Sequence, residues 1–174
     1  MEPASTPSSS TMAWSTLPTW PLILFGIIEP LLLVWAYIIS ILDPHRFYTM
    51  QVPHSPVEPS DLQPQALVLT LQMGNVLLLV AALAVVCCWT PRPATSRWYL
   101  VAVALADYGH IYGTYAGMGR DAFCDVRGWN DAVWGSVGAS AFLNVFRWLT
   151  VLGVFGGLTE EGGGAGMVVD KKRV

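Results

Sequence analysis

The chain has 174 residues, of which 53% are hydrophobic and 12% are charged, and its formal net charge is −3. Soluble domains carry about 25% charged residues, so half that share, combined with long uncharged runs, predicts a membrane protein. The small net charge and the lack of a basic stripe argue against nucleic acid as a partner.

The first long segment combines an apolar helix with a central acid. Residues 1–16 are rich in Ser, Thr, Pro and Ala and lack a basic signal-peptide region, so we predict a disordered tail. Residues 18–42 are nearly all apolar, which predicts the first transmembrane helix. Glu29 and Pro30 fall at its centre. Because Pro30 has no N–H to donate to the carbonyl of Gly26, we predict a free acceptor beside the acid.

Three further apolar segments follow a proline-rich loop. We predict transmembrane helices at residues 65–89, 98–118 and 132–158. A short proline-containing turn between the second and third helices predicts antiparallel neighbours. The predicted fold is therefore all-α, an integral membrane four-helix bundle with up-and-down topology over residues 17–158. A flexible tail is predicted at 159–174.

Each predicted span carries polar side chains near its own centre. They are Glu29 in the first, Gln72 and Asn75 in the second, Asp107 and His110 in the third, and Asn144 and Arg147 in the fourth. At about 1.5 Å per residue, groups within three or four positions of a helix centre lie within roughly 5 Å of the midplane. Up-and-down packing therefore predicts one polar layer, and ionisable groups in such a layer usually pair and mark a site.

Two acids and a histidine supply the predicted chemistry. Asp107 and His110, three residues apart, share one helix face. A protonated acid beside a histidine in an apolar cavity is typical of general acid–base catalysis, so we predict Asp107, His110 and Glu29 as catalytic residues. Arg147 is the expected counter-ion, because its planar fork bridges carboxylates. The alternative is that polar side chains only hold helices together, at about 0.6 kcal/mol per hydrogen bond. That alternative is preferred for Gln72 and Asn75.

Aromatic and small residues add a candidate ligand surface and a candidate packing face. The predicted substrate-binding residues are Asn144, Arg147, Tyr108, Tyr112 and Asn75. Tyrosines can stack on a flat or cationic ligand, although interfacial or core positions explain them equally well. The glycines at 109, 113 and 117 repeat every four residues, a spacing typical of close helix packing, and Gly135 and Ala139 are the expected matching face.

Motifs for metals and cofactors are missing from the sequence. It contains no HExxH, GxSxG, P-loop or glycine-rich dinucleotide motif. Its three cysteines include no CxxC pair, and His45 and His54 have no ligand partners at useful spacing. We therefore predict no metal and no cofactor.

Basic residues beside the spans predict the orientation. Arg92, Arg97, Lys171, Lys172 and Arg173 lie on one side, and Arg46, Arg120 and Arg127 lie on the other. The excess of five over three predicts that both termini are cytoplasmic. Lys171 and Lys172 also stand fourth and third from the carboxyl end, which resembles the dilysine retrieval signal of endoplasmic reticulum membrane proteins. We therefore predict a multi-pass protein of the endoplasmic reticulum membrane.

Four stretches carry a family resemblance. They are LPTWPLILFGIIEP at 17–30, ADYGH at 106–110, Trp129–Asn130, and NVFR at 144–147. Together they resemble a family of small fungal four-span membrane proteins filed as a domain of unknown function, with members near natural-product genes. The architecture is also similar to sterol-isomerase-like four-helix proteins and to the small fungal membrane-bound terpene cyclases. Both of those groups use intramembrane acids or histidines to move protons on apolar polycyclic substrates, but their acids do not align with this chain.

The expected function follows from the polar layer and the resemblance together. We expect a membrane enzyme that isomerises, cyclises or otherwise tailors a hydrophobic metabolite, prenylated or polyketide-derived, in a fungal biosynthetic pathway. The alternative is a non-enzymatic membrane protein that binds a lipid or scaffolds other biosynthetic membrane enzymes. A transporter subunit is disfavoured, because the sequence shows no inverted repeat of broken helices. A cavity at the polar layer would favour the enzyme or lipid binder, and a dry interlocked layer would favour helix association.

Overall fold

The structure, a computed structural model, describes residues 14–158, and within them the chain forms helices and no strand. The helices are α1 (Thr19–Leu42), α2 (Pro44–Thr49), α3 (Pro64–Cys88), α4 (Pro93–Met118), α5 (Arg120–Cys124) and α6 (131–151). The all-helical prediction is confirmed for this part of the chain. The remainder of the predicted tails, 1–13 and 159–174, lies outside the described residues.

Prolines and glycines explain where the helices begin and end. Helices α2, α3 and α4 all begin with proline, whose missing N–H costs nothing at the first helical position. For this reason α4 begins at Pro93, earlier than the predicted residue 98. Helix α6 ends at Val151, short of the predicted residue 158, because Gly153 and Gly156 adopt positive φ angles of 79° and 114° that break a helix.

Two of the four long helices have the length and apolarity of membrane spans, α1 and α3. Only 28% and 22% of their most apolar windows are buried inside the chain. Leu31 on α1 and Leu69 on α3, for example, are 65% and 66% exposed. A core helix of a soluble protein would bury most of these side chains. Helices α4 and α6 are more polar and are not among these candidate spans.

The long helices form two pairs, α1 with α3 and α4 with α6. One apolar cluster joins the pairs, with buried members Leu17, Leu24, Phe25, Ala84, Cys88, Tyr99 and Leu100. Val151 packs against it, so the cluster gathers the starts of α1 and α4 and the ends of α3 and α6. Successive long helices therefore run in opposite directions. At the other end, the Asn130 side-chain amide donates to the backbone carbonyl of Met50 at 3.0 Å.

The residues just before α1 are packed against the bundle. Ser15 and Thr16 are buried, although they fall within the predicted disordered tail. The hydroxyl of Ser15 donates to the carbonyl of Cys88 at 2.7 Å, and the backbone N–H of Thr16 donates to the carbonyl of Thr90 at 3.2 Å. Ser15 and Thr16 donate to carbonyls at the end of α3 and do not fill the apolar core. Their burial was therefore not predictable from hydrophobicity in the sequence.

Candidate functional site

Glu29 lies directly after an irregular turn of α1. Residues Leu24–Ile28 form a π-helical turn, and Pro30 follows the acid. The carbonyl of Gly26, which Pro30 cannot satisfy, accepts a hydrogen bond from Trp89 Nε1 at 3.0 Å. The carbonyl that was predicted to be a free acceptor is therefore not free, because the indole of Trp89, the residue that follows α3, donates to it. A Cβ at residue 26 would lie 2.9 Å from that nitrogen, so the contact requires glycine.

Helix α6 presents two polar side chains to α4. Asn144 and Arg147 are three residues apart and share one helix face. The Asn144 side-chain amide donates to the carbonyl of Ala104 at 2.7 Å and to Asp107 Oδ2 at 3.3 Å. Ala104 is fully buried, and its small side chain lets α6 approach the backbone of α4 closely.

Arg147 joins the two helix pairs. Its Nη1 donates to Asp107 Oδ2 at 2.5 Å, and its Nη2 forms an ion pair with Glu29 Oε1. Arg147 is 1% exposed, Glu29 4% and Asp107 7%. The guanidinium carbon lies 5.4 Å from the centroid of the Phe25 ring, within cation–π range. We call Glu29, Asp107, Asn144 and Arg147 the buried charge network.

The network holds two carboxyl groups but one guanidinium. Asp107 Oδ2 accepts hydrogen bonds from both Arg147 and Asn144. Glu29 accepts one bond, through Oε1, and its buried Oε2 has no hydrogen-bond partner within residues 14–158. Nε of Arg147 is likewise buried without a partner there. The two acids therefore occupy chemically different positions around one cation.

A family model matches residues 14–157, which include the whole network. The chain belongs to the DUF7704 family. Its description is a domain of unknown function, so the prediction is confirmed only in this respect, that the chain belongs to a family described as a domain of unknown function. No curated protein and no solved structure matches the chain.

Several predicted site residues of this DUF7704 chain lie outside the network. The His110 side chain is half-buried one turn from Asp107, and its ring forms no hydrogen bond within the described part of the chain. Asn75, with Gln72, is exposed on α3. The Tyr108 hydroxyl accepts a hydrogen bond from Trp148 Nε1 at 3.0 Å. Tyr112 is 68% exposed. The structure thus brings together four of the predicted residues, one from each of α1 and α4 and two from α6.

The predicted glycine packing face is wrong. A Cβ built on Gly109, Gly113, Gly117 or Gly135 meets no atom within 4 Å, so these positions face open space. The close approach occurs instead between α1 and α3, where a Cβ on Gly74 would overlap the hydroxyl of Ser40. An isolated glycine paired with a serine lacks the four-residue repeat, so this close contact could not be predicted from spacing along the chain.

Trp89 and Phe25 were also missed as site residues. Trp89 lies where a membrane-interface tryptophan is expected, and Phe25 resembles any core aromatic. Pro30 has no N–H, so the sequence indicated that some other group must donate to the Gly26 carbonyl. Nothing in the sequence indicated that Trp89 is that group.

Proposed function

We propose that this DUF7704 chain is a membrane-embedded enzyme that isomerises, cyclises or otherwise tailors a hydrophobic metabolite by acid–base chemistry. The observation that carries the proposal is the surplus carboxyl group of the buried charge network. One acid suffices to balance Arg147. A second buried acid adds a desolvation cost that helix association does not require.

Charge balance assigns a proton to the network. With both acids ionised, it would hold an uncompensated negative charge in apolar surroundings, which costs several kcal/mol on an order-of-magnitude scale. Asp107 accepts two hydrogen bonds through one oxygen, which stabilises its ionised form. Glu29 keeps an oxygen without a partner in the described residues, which suits the group that carries the proton. We therefore assign Glu29 as the general acid.

The reaction we propose is a proton relay without net redox change. Glu29 gives its proton to one carbon of the substrate, and a second carbon loses a proton to a base, so a double bond moves or a ring closes. His110 is the proposed base, because its half-buried ring lies one turn from Asp107. Asp107 holds Arg147, and Arg147 orients Glu29. Tyr108 and Tyr112, on the same helix as Asp107, are proposed to shield positive charge on the substrate.

The proposed setting is the endoplasmic reticulum membrane, with all four long helices spanning it and both termini cytoplasmic. The exposed apolar faces of α1 and α3 support membrane insertion. The alternating helix directions support an even number of crossings. The substrate class, a prenylated or polyketide-derived metabolite of a fungal pathway, rests on the family resemblance alone.

Metabolite profiling of single variants tests the enzyme proposal. The chromosomal gene is replaced by Glu29→Gln, Asp107→Asn or His110→Ala, with Gln72→Leu as a control on an exposed residue outside the network. Lipophilic metabolites are compared by mass spectrometry at membrane protein levels matched by immunoblot. We expect one product to fall by about 10²–10⁴-fold in Glu29→Gln while a precursor accumulates. An unchanged profile at normal protein level would rule the enzyme out.

A non-enzymatic role is the second candidate. The four network residues interlock directly, as expected of side chains that only fasten helices together or position a bound lipid. On that proposal Glu29→Gln lowers the amount of folded protein and leaves the metabolites per molecule unchanged. The same profiling experiment therefore separates the two roles.

A further inference from the structure

Helix α3 carries two amide side chains on its outer surface, close to its midpoint. Gln72 and Asn75 are both exposed, and at about 1.5 Å per residue they lie within roughly 6 Å of the middle of the helix. Helix α3 is also one of the two candidate membrane spans. In a bilayer these amides would face hydrocarbon, where a polar group without a hydrogen-bond partner is strongly disfavoured. They therefore need a partner that the described part of the chain does not bring to them.

The two amides belong to a regular stripe along α3. Val68, Leu79 and Val86 lie in the same stripe and are 51%, 56% and 67% exposed. The intervals between its members alternate between three and four residues, which is the heptad spacing by which two helices interlock. We call it the amide stripe. Its seven positions are all exposed and are Gln65, Val68, Gln72, Asn75, Leu79, Ala82 and Val86.

The amide stripe lies away from the contact between α3 and α1. Gly74 faces Ser40 of α1, and at about 100° per residue Gln72 and Asn75 lie roughly 160° and 100° around the helix from Gly74. A second exposed face of α3 is apolar throughout, as expected of a lipid contact, and consists of Leu69, Met73, Val76 and Leu83. The exposed polar side chains of α3 are thus gathered on one of its two outer faces.

We propose that the amide stripe pairs with the amide stripe of a second copy of this chain in the membrane. Copies that insert in the same orientation are related by a two-fold axis along the membrane normal, which places each stripe residue opposite its own counterpart. Gln72 and Asn75 each carry a donor and an acceptor, so each amide bonds to the same amide of the other copy. The stripe has no formal charge, and two copies therefore do not repel each other.

A second copy fits the stripe better than an unrelated helix does. An unrelated partner would need its own amides at the same two heights, whereas a second copy has them by symmetry. Amide side chains hydrogen-bond across membrane helices, and a polar residue within a heptad seam fixes the register of the pair. The apolar stripe members then pack above and below the amides.

This inference rests on the membrane setting of the proposed function and not on its chemistry. The buried charge network is formed by α1, α4 and α6, so pairing through α3 does not involve it. Gln72→Leu therefore remains a control for catalysis, although it weakens association.

The test measures association of the full chain in phosphatidylcholine vesicles. Energy transfer between chains labelled on an N-terminal tag is followed while lipid is added, which dilutes the chains in the membrane. Wild type is compared with Gln72→Leu/Asn75→Leu and with the control Met73→Leu/Val76→Leu on the apolar face. The exchange Gln72→Asn/Asn75→Gln keeps an amide at both positions. Insertion is checked by resistance to alkaline carbonate, and folding by circular dichroism.

We expect the association constant of Gln72→Leu/Asn75→Leu to be at least about tenfold lower than that of wild type, because each chain loses two interhelical hydrogen-bonding groups. Met73→Leu/Val76→Leu should match wild type, and the exchange variant should retain most of the association. Energy transfer at the level of random mixing in wild type, or an equal association constant in the double leucine variant, would overturn the inference.

Disulfide cross-linking in the same vesicles locates the interface. Because Cys124 is exposed, the variants are made with Cys124→Ser, and that chain alone gives the background. Oxidation should link two copies of Val68→Cys or Leu79→Cys. Leu69→Cys and Leu83→Cys, on the apolar face, should stay at background, and preferential linking there would place the contact on the wrong face and reject the inference.

The outcomes separate this inference from the proposed function. Chains that carbonate extracts from the vesicles would reject the membrane setting and the inference together. Inserted chains that stay monomeric would reject the inference alone, and the metabolite profile of Glu29→Gln then decides the enzyme proposal by itself. Association with an unchanged metabolite profile leaves the dimer standing without the chemistry.

Discussion

The two helix pairs are held together by different chemistry. Helices α1 and α3 meet through small residues, with Gly74 against Ser40 and with Ala81 and Ala84 buried. Helices α4 and α6 meet through polar groups, chiefly the bonds of Asn144 and Arg147. The first pair has the more apolar sequence and needs no charge at its interface. The second pair supplies three of the four members of the buried charge network.

This contrast explains why Glu29 is unusual. It is the one network member on the apolar pair, and the α1–α3 interface does not use it. Its ion pair with Arg147 links the α1–α3 pair to the α4–α6 pair. The role of Glu29 is therefore to join the two pairs and to contribute to the site between them. Variants that weaken one interface and spare the other make the comparison testable.

The largest effect is expected for Arg147→Leu. The change leaves two buried carboxyls without a cation, and breaking a buried ion pair costs about 3–5 kcal/mol. We expect little folded protein, or a strongly lowered melting temperature in detergent, measured by intrinsic fluorescence. Arg97→Leu, an exposed arginine on α4, is the control.

A triple variant sharpens this result. Replacing Glu29, Asp107 and Arg147 together by apolar residues removes the charges in balance, and such exchanges are often neutral for stability. We expect the triple variant to be more stable than Arg147→Leu. If it is less stable, the network contributes through packing and not through charge balance.

The next largest effect is expected for Gly74→Ala in the apolar pair. The new Cβ overlaps the Ser40 hydroxyl, and overpacking of this kind costs about 1–3 kcal/mol. Gly113→Ala, in open space on α4, should leave the melting temperature unchanged or raised. Adding Ser40→Ala to Gly74→Ala should recover part of the loss, and no recovery would show that the interface is looser than described.

A smaller loss is expected for Trp89→Phe. Among the described residues, Trp89 is the only one whose side chain donates a hydrogen bond to the Gly26 carbonyl. The variant removes this bond, and one such bond contributes about 0.5–1.5 kcal/mol. Hydrogen exchange at the π-helical turn should rise in the variant. Trp98→Phe, 70% exposed on α4, serves as the control. Equal exchange rates in Trp89→Phe and Trp98→Phe would mean that the Gly26 carbonyl, which Pro30 leaves without a helical donor, does not require the hydrogen bond from the Trp89 indole.

The smallest effect is expected for Tyr108→Phe in the polar pair. The variant removes the acceptor of Trp148 Nε1 at an exposed position, where measured interhelical bonds average about 0.6 kcal/mol. Tyr112→Phe is the control, because its side chain is 68% exposed. A loss as large as that of Gly74→Ala would indicate that the second pair depends on its outer contacts.

Much of the fold was predictable from local sequence. Apolar runs bounded by prolines predicted the four long helices. Because Glu29, Asp107, Asn144 and Arg147 each lie near the centre of a predicted helix, up-and-down packing predicted that they lie at one level. Hydropathy alone supports only α1 and α3 as spans, since α4 carries Asp107 and His110 and α6 carries Asn144 and Arg147.

The helix faces were less predictable than the helix levels. Periodicity gives the spacing along one helix but not its rotation relative to its neighbours, which tertiary packing decides. Gln72 and Asn75 therefore turned out to be exposed, and the glycines at 109 and 113 meet nothing. The pairing of Trp89 with Gly26 depends on residues 63 positions apart, a separation that no local pattern encodes.

The ion pair between Glu29 and Arg147 joins residues 118 positions apart, which gives the network an order in time. Ribosomes add about 5–20 residues per second, so the acid is made roughly 6–24 s before its cation. During that interval the helix that contains Glu29 can already associate with α3 through Gly74, but its acid lacks the partner that the finished protein provides. A chain truncated before α6 would keep that acid unpaired permanently, and quality control in the cell therefore has a chemical mark by which incomplete chains differ from complete ones.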